Sequence, residues 1–69
     1  SDYEVVDSSV AVGRVSAEMI CPYPPGVPVL SPGERITQDA LDALFAARDS
    51  GVRIAFVADP TLKTLKVLP

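Results

Sequence analysis

Sixty-nine residues bound the chain to one domain or a piece of one, burying roughly 60% of its unfolded surface. Apolar side chains make up 48% of it, which excludes a disordered tail, yet no apolar run approaches the ~20 residues of a membrane helix. A net charge of −3 with scattered acids disfavours nucleic acid, and the lack of histidine removes the usual general base and the commonest metal ligand.

Ser1-Asp2-Tyr3-Glu4 is neither basic nor followed by a long apolar core, so no signal peptide is expected. Cys21 has no second cysteine to pair with, which fits a reducing, cytoplasmic location. Tyr3 to Val6 reads as an edge strand. Asp7, Ser8 and Ser9 can cap one helical turn over Val10 to Val12, closed by Gly13 in the left-handed region. Arg14 to Cys21 then alternates and predicts a strand. Val15, Ala17, Met19 and Cys21 share one face, and Ser16, Glu18 and Ile20 share the other.

Residues 21–34 hold five of the seven prolines and two of the four glycines. Each proline locks φ and lacks an N–H, so this arm is expected to be stiff and polyproline-like, and neither helix nor central strand. Tyr23 can lie on such a segment with its hydroxyl toward a partner. Pro32-Gly33 signals a turn. Thr37 is the predicted N-cap of a helix over about 38–50, with Asp39 in its first turn, an apolar stripe through Leu41, Leu44 and Phe45, and Gly51 as the stop. Val52 to Val57 and Lys63 to Leu68 are then expected to form a C-terminal β-hairpin around the Asp59-Pro60 turn. The prediction is a single α+β domain over 1–69: a small sheet, one main helix, the arm and the hairpin.

No catalytic constellation assembles from these residues alone. Glu18 and Glu34 are the carboxylates that could do acid–base work, although solvated side chains or bonds to loop amides explain them as well. Cys21 reads as a small buried hydrophobe, since only an arginine or a helix terminus is available to activate it. Lys63 and Lys66 could form a Schiff base if desolvated, but their alternation points them outward. Pro22, Pro25 and Pro28 offer the PxxP spacing of an SH3 ligand, yet they are bracketed by patterned core elements rather than set in a polar tail.

The run Gly13-Arg14-Val15-Ser16-Ala17-Glu18-Met19-Ile20 leads into Pro22-Tyr23-Pro24-Pro25-Gly26-Val27-Pro28 and then Pro32-Gly33-Glu34. This wording closely resembles the C-terminal domain of the bacterial ornithine/lysine/arginine decarboxylases, pyridoxal-phosphate enzymes with an aminotransferase-like fold. The helix after Glu34-Arg35-Ile36-Thr37, Gly51 and the Asp59-Pro60 turn into Leu65-Lys66-Val67-Leu68 follow the same pattern. The resemblance implies a piece of a larger enzyme, inactive by itself, that removes CO2 from a basic amino acid to give a polyamine or its precursor. A cofactor lysine, a histidine beside it and an aspartate facing the ring nitrogen would lie in a large domain, and the enzyme would be at least a dimer.

Pro22, Pro24, Pro25, Gly26, Pro28, Pro32, Gly33 and Glu34 would then form a structural arm that walls the active-site entrance or locks against the large domain. Glu18 and Tyr23 are the candidates to touch the substrate channel; no cofactor or metal site is expected within the chain. Two other readings are a freestanding interaction or regulatory module and a small enzyme using Glu18 with Glu34.

Overall fold

The computed structural model describes residues 2–69; Ser1, expected to open directly into the first strand, lies outside them. Strand β1 (Glu4–Asp7) ends where the Asp7 carboxylate accepts the Ser9 amide at 2.9 Å, starting a 3₁₀ turn over Ser8–Val10. Gly13 follows at φ +91°, the left-handed position expected of it.

The chain from 14 to 20 is where expectation and structure part. Of the predicted strand over Arg14 to Cys21, residues 14–20 form only isolated bridges, Val15 to Arg35, Ser16 to Val67 and Ile20 to Leu30, and Cys21 opens the next strand. Its amides serve different neighbours in turn: Ser16 donates to Glu34 O at 2.7 Å and Ala17 to Lys66 O at 2.9 Å. The Ser16 hydroxyl bends the path further by donating to Glu18 O at 2.7 Å and accepting from Glu18 N at 3.2 Å. Such local side-chain bonds compete with a regular ladder. The alternation itself is real: Ser16, Glu18 and Ile20 are buried while Met19 is exposed, so the mixed face is the inward one.

Strand β2 (Cys21–Tyr23) begins the proline arm. Pro22 sits opposite Ile54 in a two-stranded sheet. Both strands of such a sheet are edges, where proline is tolerated. The Tyr23–Pro24 and Pro24–Pro25 peptide bonds are cis, and Gly26 N–H returns to Pro22 O at 2.9 Å. Ser31-Pro32-Gly33-Glu34 is a turn with Gly33 at φ +86°, closed by Glu34 N–H on Ser31 O at 3.0 Å and by Ser31 N–H on the Glu34 carboxylate at 2.9 Å.

Helix α1 (Gln38–Asp49) matches the predicted span within one residue. Thr37 Oγ1 accepts the Ala40 amide at 3.1 Å, Asp39 lies in the first turn, and Gly51 takes φ +85° beyond the end. Leu41 and Leu44 point into the core, with Ala40, Phe45 and Ala47 half-buried beside them. At the far end Arg48 lies over the Phe45 ring, 4.9 Å from its centroid, and donates to Thr61 O at 2.9 Å. That contact fastens the helix to the loop after the next strand.

Strands β3 (Arg53–Ala55) and β4 (Thr64–Val67) do not form the expected hairpin. Strand β3 pairs antiparallel with β2, Tyr23 opposite Arg53, and β4 pairs antiparallel with β1, Glu4 opposite Val67. The loop between them explains the divergence. Phe56 and Leu62 both have left-handed φ, +67° and +60°. Between them the Asp59 carboxylate accepts from Thr61 N and Oγ1 on one oxygen and from Thr64 N and Oγ1 on the other. A loop wound this tightly around a carboxylate turns β4 away from β3 and sends it to the N-terminal strand.

The architecture is α+β, with two small antiparallel sheets instead of one. Its core joins all parts of the chain: Ile20, Leu30 and Ile36 from the connector and arm, Leu44 from the helix, Leu62, Leu65 and Val67 from the C-terminal run. Each such aliphatic side chain contributes about 1.5–3 kcal/mol by leaving water. No helix among the described residues is long and apolar enough to cross a membrane.

Candidate functional site

An open pocket of about 280 Å³ lies against the β2–β3 sheet, lined by Cys21, Tyr23, Pro25, Gly26, Arg53, Ala55 and Phe56. Cys21 is buried there as a free thiol, in keeping with the small-hydrophobe reading. Tyr23 stands on the rim with 59% of its surface exposed. Its ring lies over Gly26, where a Cβ would meet Tyr23 Cδ2 at 2.9 Å. With φ at +82°, Gly26 is required twice, for backbone conformation and for room.

Phe56 forms the opposite part of the rim and is 76% exposed. For a bulky residue its left-handed φ is an outlier, costing on the order of 1–3 kcal/mol. The alternation over 52–57 groups Phe56 with Val52 and Ile54, away from Arg53 and Ala55. The turned backbone instead brings Phe56 into the same pocket as Arg53 and Ala55. Arg53 is exposed, and its guanidinium has no hydrogen-bond or ion-pair partner among the described residues. Neither Arg53 nor Phe56 stands out in the sequence; the Asp59-Pro60 turn signal lies beyond both and does not reveal that the strand stops at Ala55.

Glu18 is 8% exposed, and its carboxylate is engaged on both sides. Oε1 accepts the Ala58 amide at 3.1 Å, and Oε2 accepts the Lys66 amide at 2.7 Å. Two backbone donors satisfy a carboxylate whose burial would otherwise be costly. Glu34 closes its own turn on Ser31, so both carboxylates are spent on backbone amides, Glu34 locally and Glu18 on segments distant in sequence. Lys66 Nζ lies 4.5 Å from the centroid of the Tyr3 ring, and Lys63 is exposed. Among the described residues no cluster of three His, Cys, Asp or Glu side chains is placed to hold a metal ion.

Together these features define a small α+β fold with an open pocket in which two aromatics and a guanidinium stand around a buried thiol. Residues 1–54 match the family described as the Orn/Lys/Arg decarboxylase, C-terminal domain. The chain is 40% identical to an arginine decarboxylase of Bacillus anthracis over 68 residues, 99% of its own length and 14% of that protein's. It is 51% identical over 43 residues to the constitutive lysine decarboxylase of Escherichia coli, 62% of its own length and 6% of that protein's. The solved structure of that E. coli enzyme superposes with a TM-score of 0.67 at 35% identity, over 99% of this chain and 11% of the other. A lysine decarboxylase of Francisella novicida superposes at 0.69 and 30% identity, over 100% of this chain and 11% of that one.

The chain belongs to the C-terminal domain family of the Orn/Lys/Arg decarboxylases. It spans only about one-seventh or less of the curated relatives it matches. The pyridoxal phosphate implied by the resemblance does not fit the pocket. The lining supplies no lysine to carry the cofactor and no carboxylate to meet its ring nitrogen.

Proposed function

We propose that the chain serves as the C-terminal domain of a pyridoxal-phosphate-dependent decarboxylase acting on arginine, lysine or ornithine, and that its arm braces the active-site entrance. In this reading the cofactor and the reacting groups reside in a large domain of the same cytoplasmic, oligomeric enzyme, and this domain supplies structure. Tyr23 is the residue that meets the channel, with Pro24, Pro25 and Gly26 holding it in place. Glu18 acts from behind the wall as a positioning residue, since its carboxylate holds the amide two residues beyond Phe56.

One observation carries the proposal: an exposed aromatic seated on a short proline arm, at the rim of a pocket whose lining holds neither lysine nor carboxylate. A tyrosine so placed offers a flat apolar face to a substrate's methylenes and a hydroxyl to its polar end. The arm is restricted by its prolines, so ordering it costs little further entropy.

The test is Tyr23→Ala and Tyr23→Phe in the full-length enzyme. KM for the basic amino acid is expected to rise for the alanine variant, with the phenylalanine variant intermediate. Unchanged kcat and KM in both would remove Tyr23 from the entrance, and absence of CO2 release from all three amino acids by the unsubstituted enzyme would overturn the reading.

A further inference from the structure

Three features of the pocket rim go unexplained by contacts within the domain. Phe56 adopts a left-handed backbone, a conformation that persists for a bulky residue only where surroundings impose it. Its ring is nevertheless the most exposed of the large apolar side chains. Tyr23 and Pro25 extend the same apolar surface across the pocket. Arg53, opposite Tyr23 in the β-ladder, presents an unpaired guanidinium in a chain whose net charge is −3. Aromatic side chains and arginine are the residues that dominate association energetics when they are enclosed.

The rim also indicates what covers it. It contains a cation and no carboxylate, so a symmetric pairing with a second copy would set one Arg53 toward another without an acid between them. A complementary surface must bring the carboxylate. The domain accounts for 11% of the length of each lysine decarboxylase structure it superposes on, so most of such an enzyme is available to provide one.

The geometry points to this rim as the docking face for the large domain of the same decarboxylase, with Phe56 seated in an apolar hollow and Arg53 paired with a carboxylate beside it. This rests on the proposed function and names the surface that performs the bracing. It also assigns the backbone outlier a purpose: the turn at Phe56 lifts the ring out of its own domain.

The experiment uses the full-length enzyme with benzoylphenylalanine at position 56 as a photo-crosslinker. Crosslinked peptides are expected to pair position 56 with sequence outside residues 1–69. Peptides pairing it with residues 1–69 of another copy, or no crosslink, would overturn the docking face. Two variants supply a second readout, Phe56→Asn, which suits the left-handed backbone and so keeps the domain folded, and Arg53→Glu. Limited proteolysis at the domain junction is expected to accelerate by about tenfold in each, with Arg53→Lys close to the unsubstituted enzyme. Unaltered proteolysis in both would sink the proposal. Decarboxylation by the unsubstituted enzyme separates the two claims. CO2 release without the crosslink defeats the docking face alone, and the crosslink without CO2 release supports the face while defeating the proposed function.

Discussion

Glu18 accepts the amide N–H of Lys66 at 2.7 Å although 48 residues separate them in the chain. Its other oxygen takes the Ala58 amide, so one buried carboxylate joins β4 to the loop that carries Phe56. The two sheets share no strand, and this side chain ties a strand of one to the loop that follows a strand of the other.

Glu18→Gln keeps one acceptor oxygen but sets an NH2 group against a backbone N–H. Stability is expected to fall by about 1–3 kcal/mol, read as a lower urea midpoint at unchanged m-value. Glu18→Ala should fall further, because both amides lose their acceptor. A glutamine variant of full stability would show that the carboxylate is not what holds the loop.

Gly26→Ala places a Cβ where the Tyr23 ring now lies and demands φ near +82° of an alanine. A loss of about 1 kcal/mol or more is expected, together with an altered tyrosine signal in the near-ultraviolet circular dichroism. Retained stability with an unaltered spectrum would mean the ring does not need that glycine.

Asp59 has its pKa lowered from 3.8 to about 2, first by the Thr61 hydroxyl and next by the Thr64 amide. A folded-state value below the unfolded one means that the carboxylate stabilises the fold above pH 3.8 and loses that contribution as pH falls toward 2. Asp7 is lowered as well, chiefly by the Ser9 amide, and acts with the same sign. Asp59→Asn is expected to flatten the acid limb of the stability–pH curve while lowering stability at neutral pH. An acid limb of undiminished slope would assign the effect to other groups.

Thr37→Ala removes the acceptor for the Ala40 amide and should cost about 1 kcal/mol, whereas Thr37→Asp should cost little. Thermal unfolding of the three proteins decides it, and equal melting temperatures for threonine and alanine would count against the cap.

The helix was legible because its signals are local. Thr37, Asp39, the Leu41–Leu44 spacing and Gly51 act within a turn or two of their own backbone, and the structure keeps all of them. The turns at Pro32-Gly33 and Asp59 were legible for the same reason. Strand partners were not. The β-branched run at 52–57 and the alternation at 63–68 look suited to each other, and nothing in either says that Asp59 will wind the loop between them so tightly. Of the site, Tyr23 could be singled out from its proline setting. Arg53 and Phe56 could not, since their meeting depends on the backbone reversing at Phe56 and on β3 lying beside the arm.

By itself, then, the sequence determined the helix and its caps, the turns, the α+β composition and the decarboxylase wording of the arm. Only the tertiary structure decided which strand bonds which, that Ser16 and Glu18 face inward, and that a pocket forms beneath Tyr23. Local preferences are written in side chains that act on neighbouring amides. Pairing between distant strands uses backbone donors and acceptors that are chemically alike everywhere, so packing of the whole chain has to choose among them.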